Sequence, residues 1–77
     1  MNTVVGIDLG TQALKVVYYD VDRREVAAAE TAALDLYQND DGAAEQQAHW
    51  WTTALKEAIG RVDPEVRESA RAIAVSG

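Results

Sequence analysis

Two β-rich runs with almost nothing between them constrain this chain more than any other feature. Residues 3–9 read Thr-Val-Val-Gly-Ile-Asp-Leu, and residues 14–21 read Leu-Lys-Val-Val-Tyr-Tyr-Asp-Val. Both are rich in the β-branched and aromatic residues that suit strands. The break between them, centred on Gly10-Thr11-Gln12, leaves no room for a crossover, so the runs read as an antiparallel hairpin. Asp22-Arg23-Arg24 is polar and short enough for a second tight turn. The run after it, Glu25 to Leu34, is open to two readings. Its alanines and the spacing of Val26, Ala29, Ala33 and Leu36 suit a helix, whereas its place after a tight turn suits a third antiparallel strand.

Asp35 to Gln47 is polar, with a turn signal at Asn39-Asp40-Asp41-Gly42, and reads as a loop. From Ala48 to Val62 a helix is expected. Trp51, Leu55, Ala58, Ile59 and Val62 recur at three- and four-residue steps and make one apolar stripe. Pro64 forbids simple continuation, so the helix should end near Arg61, and Asp63-Pro64-Glu65 can open a short turn. Ala70 to Val75 is a further strand-like run. Because it follows a helix it should return parallel to a neighbour through a right-handed crossover, most naturally beside the first strand. The expected order is β-β-β-α-β, an α/β arrangement with an open sheet edge and one helix to cover the sheet. It reads as the N-terminal part of a larger domain, and the open edge invites self-association.

The totals narrow the function. There are 77 residues, enough for one small domain with a marginal core. There is no cysteine, and there is one histidine, so neither disulfides nor a Cys/His metal site is available. Thirteen acids against seven bases give a net charge of −6, which argues against nucleic acid or an anionic membrane as partner. No basic segment precedes an apolar one at the N-terminus, and no apolar run approaches the ~20 residues of a membrane helix. The expectation is a cytoplasmic protein.

The chemistry concentrates in Asp8-Leu9-Gly10-Thr11-Gln12. A glycine-containing turn can aim backbone N–H groups into one concavity that takes anionic oxygens. Gly10 lets a phosphate approach the backbone, since no Cβ is in the way. Thr11 and Gln12 add a hydroxyl and an amide donor. Asp8 can hold Mg²⁺ or its bound water, and Lys15 can neutralise nearby charge. The bland alternative is that Gly10 permits the turn, Asp8 caps backbone groups at the strand end, and Thr11, Gln12 and Lys15 are solvated.

Gly6-Ile7-Asp8-Leu9-Gly10-Thr11-Gln12, followed by Leu14-Lys15-Val16-Val17 and Asp20, resembles the first phosphate motif of the sugar-kinase and actin superfamily. Within it, the string is similar to that of the FGGY carbohydrate kinases, and most of all their xylulokinase-like branch. Glu45-Gln46 followed by Trp50-Trp51 resembles a second stretch of that branch. Ala72-Ile73-Ala74-Val75-Ser76-Gly77 resembles the strand leading into the family's sugar-contacting segment. The three pieces stand in the family's order and span nearly the whole chain.

The resemblance implies that Glu25 to about Ala33 is a strand. The fold is then an incomplete ribonuclease-H-like domain, a mixed sheet with an antiparallel three-strand meander and one crossover helix. It also implies an ATP- and Mg²⁺-dependent transfer of the γ-phosphoryl group to a sugar hydroxyl. Xylulose leads as substrate, with gluconate, ribulose and glycerol open. Asp8 would lie near Mg²⁺ and the phosphates, and Gly10, Thr11, Gln12 and Lys15 would line the phosphate turn. Ala13 and the missing Asp-Pro before the tryptophans depart mildly from the family pattern. The catalytic base, the adenosine pocket and most sugar contacts are expected beyond Gly77, so this chain alone is expected to be inactive. A non-catalytic nucleotide- or partner-binding module of the same fold is the alternative.

The other candidates carry structural readings. Trp50 and Trp51 are adjacent, so they cannot share a helix face, and one should pack inward. His49 reads as solvated, and Glu45 as a helix cap or a sugar ligand. Tyr18, Tyr19 and Tyr37 read as sheet and loop packing. Asp40-Asp41 lacks the spacing of a calcium loop. Asp20, Asp22, Glu25 and Glu30 read as a wet sheet face.

Overall fold

The structure, a computed structural model, describes residues 1–10, 12–34 and 44–76, with the side chains of 44–49 outside the description. It contains β1 (Thr3–Leu9), β2 (Ala13–Asp20), β3 (Glu25–Ala33), α1 (Ala44–Gly60), α2 (Pro64–Glu68) and β4 (Ala70–Ser76). The sheet order is β3-β2-β1-β4. The first three strands form the expected antiparallel meander, and β4 returns parallel to β1. The strand reading of 25–33 holds because every residue of β2 finds a partner on β3 from Ala13↔Ala33 to Asp20↔Glu25, and that ladder outweighs the helix propensity of the alanines.

Alternation along β1 sends Thr3, Val5 and Ile7 to one face and Val4, Gly6 and Asp8 to the other. Val5 and Ile7 join Leu14, Val16, Tyr18, Ala32, Leu34, Ala54, Ala58 and Val62 in one buried cluster, so α1 lies on this side of the sheet. The small side chains Ala54 and Ala58, both fully buried, let α1 approach β2 and β3 closely. Burying a group of this kind contributes roughly 25 cal/mol per Å² of apolar surface removed from water.

Several expectations are corrected. Helix α1 begins at Ala44, not Ala48, because Ala, Glu and Gln at 44–48 are good helix formers despite their polarity. Of the expected apolar stripe, Ala58 and, just past the helix end, Val62 are buried and Leu55 and Ile59 are half-buried against the core, but the inward tryptophan is Trp50, with Ala54 one turn on, and not Trp51. Trp51 is 40% exposed. The segment at Pro64 is a five-residue helix. The Asp63 side chain accepts from the Glu65 amide at 3.0 Å, and Pro64 occupies the first turn, where no N–H is missed.

Asp20 is not part of a wet face. It is 3% exposed, and its Oδ1 accepts the amides of Asp22 (3.0 Å) and Arg23 (3.1 Å), folding the turn back from β2. Arg24 completes that turn at φ 57°. Tyr18 packs in the core, whereas Tyr19 is exposed. The expectations for Thr11, Tyr37, the Asn39–Gly42 turn, Asp40-Asp41 and Gly77, and for the side chains of Glu45 and His49, lie outside the described residues.

The far end of the sheet is held by a buried hydroxyl pair. Thr3 Oγ1 and Ser69 Oγ lie 2.9 Å apart, and Ser69 Oγ donates to the Val66 carbonyl at 2.5 Å. Strands β3 and β4 are the sheet edges. Ile73 and Val75 of β4 pair with Val5 and Ile7, and so share the helix-bearing face, yet they are 65% and 62% exposed.

Candidate functional site

The register of the sheet assembles a site that the linear sequence does not display. Asp8 pairs with Lys15 on β2 and with Ser76 on β4, and Lys15 pairs in turn with Thr31 on β3. Partners in a ladder share a face, so Thr31, Lys15, Asp8 and Ser76 make one polar row across all four strands. The next row contains Ala29, Val17, Gly6 and Ala74, and it is wholly apolar.

Both rows lie on the face away from α1. Gly6, Val17 and Ala74 floor a cleft of about 350 Å³, and Asp8, Lys15 and Ser76 border it. Asp8 and Lys15 are both exposed. Among the described residues the ion pair is Arg61–Glu57 on α1, at 2.9 Å, so Asp8 and Lys15 stand side by side without closing one. Their charges face the cleft available to a ligand.

The turn that ends β1 abuts the polar row. Gly10 donates its amide to the Ala13 carbonyl at 2.9 Å, and the Gln12 carbonyl accepts the Leu34 amide at 2.7 Å. The Gly10 amide is thus engaged inside the turn. Its missing side chain matters more, since a Cβ there would fall 2.9 Å from the Ala13 carbonyl oxygen. Gln12 is exposed beside it.

Of the five residues the sequence singles out, Asp8 and Lys15 meet across one ladder, with Gly10 and Gln12 in the adjoining turn. Thr11 lies outside the described residues. Sequence reasoning passed over Ser76 and Gly6 as site residues. The signal for Ser76 was the β1–β4 parallel pairing itself, which sets residue 76 beside residue 8 once the register is known. The tryptophans take no part in the cleft, because α1 packs on the other face of the sheet.

The donor set suits one kind of metal. Among the described residues no group of three His, Cys, Asp or Glu side chains converges. One exposed carboxylate with a neighbouring hydroxyl fits a hydrated Mg²⁺ that arrives with a phosphate, and does not fit a fully protein-caged ion.

A four-stranded mixed sheet in this order, with its crossover helix on one face, is consistent with the opening part of an α/β domain of the actin-like, ribonuclease-H-like class. Residues 3–77 match the FGGY family of carbohydrate kinases, N-terminal domain, and the chain belongs to that family. It is similar to a xylulose kinase of Haemophilus influenzae, 36% identical over 55 residues that make up 71% of this chain and 11% of the relative. The chain thus spans a small part of the length of the relative it matches. No solved structure matches the chain significantly. Among the described residues no helix is long and apolar enough to cross a membrane.

Proposed function

We propose that this chain is the phosphate-handling part of an ATP-dependent sugar kinase, with xylulose as the leading acceptor. The observation that carries the reading is the Lys15–Asp8–Ser76 row, set beside the Gly10–Gln12 turn at the edge of a cleft. Membership of a carbohydrate kinase family supports the reaction class, and the xylulose kinase relative favours that sugar over gluconate, ribulose or glycerol.

Transfer of a γ-phosphoryl group asks for position and for charge stabilisation more than for covalent chemistry. Asp8 would hold the hydration shell of Mg²⁺, whose bound form neutralises phosphate charge. Lys15 offers a cation one strand away, and Ser76 a hydroxyl on the other side. Gly10 would close the turn on the Ala13 carbonyl, and Thr11 and Gln12 would offer side-chain donors to phosphate oxygens beside it. The base that accepts the sugar proton is not among these residues, and the 77-residue chain alone is expected to be inactive.

The test is Asp8→Asn in a whole kinase carrying this chain, assayed with ATP and a panel of the four sugars. Loss of a preorganised electrostatic group costs about 10²–10³ in turnover. The expected result is a loss of that size, with a melting temperature close to that of the parent because Asp8 is exposed. Turnover within threefold of the parent would refute the role of Asp8. A preference for another of the four sugars would refute xylulose alone.

A further inference from the structure

Arg61, just past the end of α1, divides one guanidinium between two acceptors. Its Nη2 donates to Glu57 Oε1 at 2.9 Å, and its Nη1 donates to the backbone carbonyl of Thr31 at 2.9 Å. Thr31 belongs to β3, an edge of the sheet, and its ladder partner is Lys15. Opposed residues of an antiparallel pair alternate between exchanging backbone hydrogen bonds and exchanging none. The Leu34 amide donates to the Gln12 carbonyl, one step beyond the Ala13↔Ala33 pair. Counting on from there, Leu14↔Ala32 exchanges bonds and Lys15↔Thr31 does not. The Thr31 carbonyl is therefore turned outward from β2, and Arg61 takes it.

Arg61 thus pins β3 at a row where the ladder itself supplies no bond. A pair of that kind also brings its side chains closest, with Cα atoms about 4.5 Å apart. Thr31 and Lys15 are both exposed, and Lys15 borders the cleft. Lysine carries its charge on a flexible four-carbon stem. Threonine is β-branched and stiff at χ1, so it makes a firm wall beside that stem. On the other side of Lys15 stands Asp8. The lysine is set between a wall and a carboxylate, and the wall is fixed by Arg61.

We infer that Arg61 is a positioning residue for the phosphate site: by holding the Thr31 backbone at the Lys15 row, it keeps Thr31 beside the Lys15 stem and the ammonium turned to the cleft. The inference rests on the kinase reading, in which Lys15 meets a nucleotide phosphate. Arg61 does not border the cleft, and both ends of its guanidinium are engaged, so it acts on the nucleotide only through β3 and Lys15.

The experiment is a double-mutant cycle in the whole kinase, read as the Kd of Mg²⁺-ATP by calorimetry without sugar, with turnover measured alongside. Lys15→Ala is expected to raise the Kd about tenfold, as for loss of a charged donor. Arg61→Ala should raise it about threefold, the scale of one hydrogen bond. Thr31→Ala should match Arg61→Ala, because it removes the same wall. Arg61→Lys keeps a donor for the Thr31 carbonyl and should recover most of the loss. In the Lys15→Ala background Arg61→Ala should add nothing, whereas independent effects would multiply. If Arg61→Ala leaves the Kd unchanged while Lys15→Ala raises it, the inference fails and the kinase reading stands. If Arg61→Ala weakens binding equally in both backgrounds, it loosens β3 in general, and the inference fails again. Should Arg61→Ala not fold, Thr31→Ala crossed with Lys15→Ala gives the same test. If Lys15→Ala alone binds like the parent, the inference fails and the kinase reading rests on Asp8. If Asp8→Asn also turns over like the parent, the kinase reading falls with it.

Discussion

Gly10→Ala is the substitution whose cost can be worked most directly from the geometry. The added methyl would lie 2.9 Å from the Ala13 carbonyl oxygen and 3.9 Å from its nitrogen. That carbonyl is fixed backbone, and it also accepts the Gly10 amide at 2.9 Å. Moving it away from the methyl therefore moves it away from its donor. Losing a hydrogen bond of this kind costs about 0.5–1.5 kcal/mol. The accompanying backbone distortion adds about 1 kcal/mol. The lower chain entropy of unfolded alanine returns about 0.4–1 kcal/mol. The net is a destabilisation of about 0.5–2 kcal/mol, or roughly 2–15 °C in melting temperature for a domain of this size. Thermal melts of this chain followed by circular dichroism would measure it, with Gly6→Ala as a control that meets no atom. An unchanged or raised melting temperature for Gly10→Ala would show that the turn relaxes freely, and the reasoning from its closure would fail.

Two further outcomes follow from burial. Leu14 is fully buried between the Leu9 and Ala32 positions of its neighbours, so Leu14→Ala should cost about 2–5 kcal/mol; urea titration reads this, and a loss under 1 kcal/mol would contradict its place in the core. Asp20→Ala strands the two amides that its carboxylate accepts and should cost about 1–2 kcal/mol, while Asp20→Asn, which keeps an acceptor oxygen, should recover most of that; equal losses in the two variants would show that the turn does not depend on the acceptor.

The sheet was legible where local chemistry and topology agreed. The two-run opening dictated a hairpin, and the helix before the last run dictated a parallel return. The start of α1 was misread because polarity was taken for a loop signal, although Ala, Glu and Gln favour helix. The inward tryptophan could not be chosen from spacing, because Trp50 and Trp51 each start a plausible stripe, and the phase is set by how Ala54 and Ala58 pack. Asp20 misled because an acid at a strand end looks solvated until its two backbone donors are seen. In the site, Asp8 and Lys15 were readable from the motif. Ser76 was not, because its nearness to Asp8 depends on a ladder between segments nearly seventy residues apart in the chain. Gly6 was passed over because a glycine in a strand run declares no purpose until the space around it is known.

The position of β1 has a consequence for timing and rigidity. It is bonded on one side to β2 and on the other to β4, whereas β3 and β4 are edges. Its backbone amides should exchange with solvent only when the sheet as a whole comes apart, and an edge can fray without disturbing them. Asp8 is thus carried on the last backbone to loosen. Its carboxylate is therefore rooted in the part of the sheet that opens last.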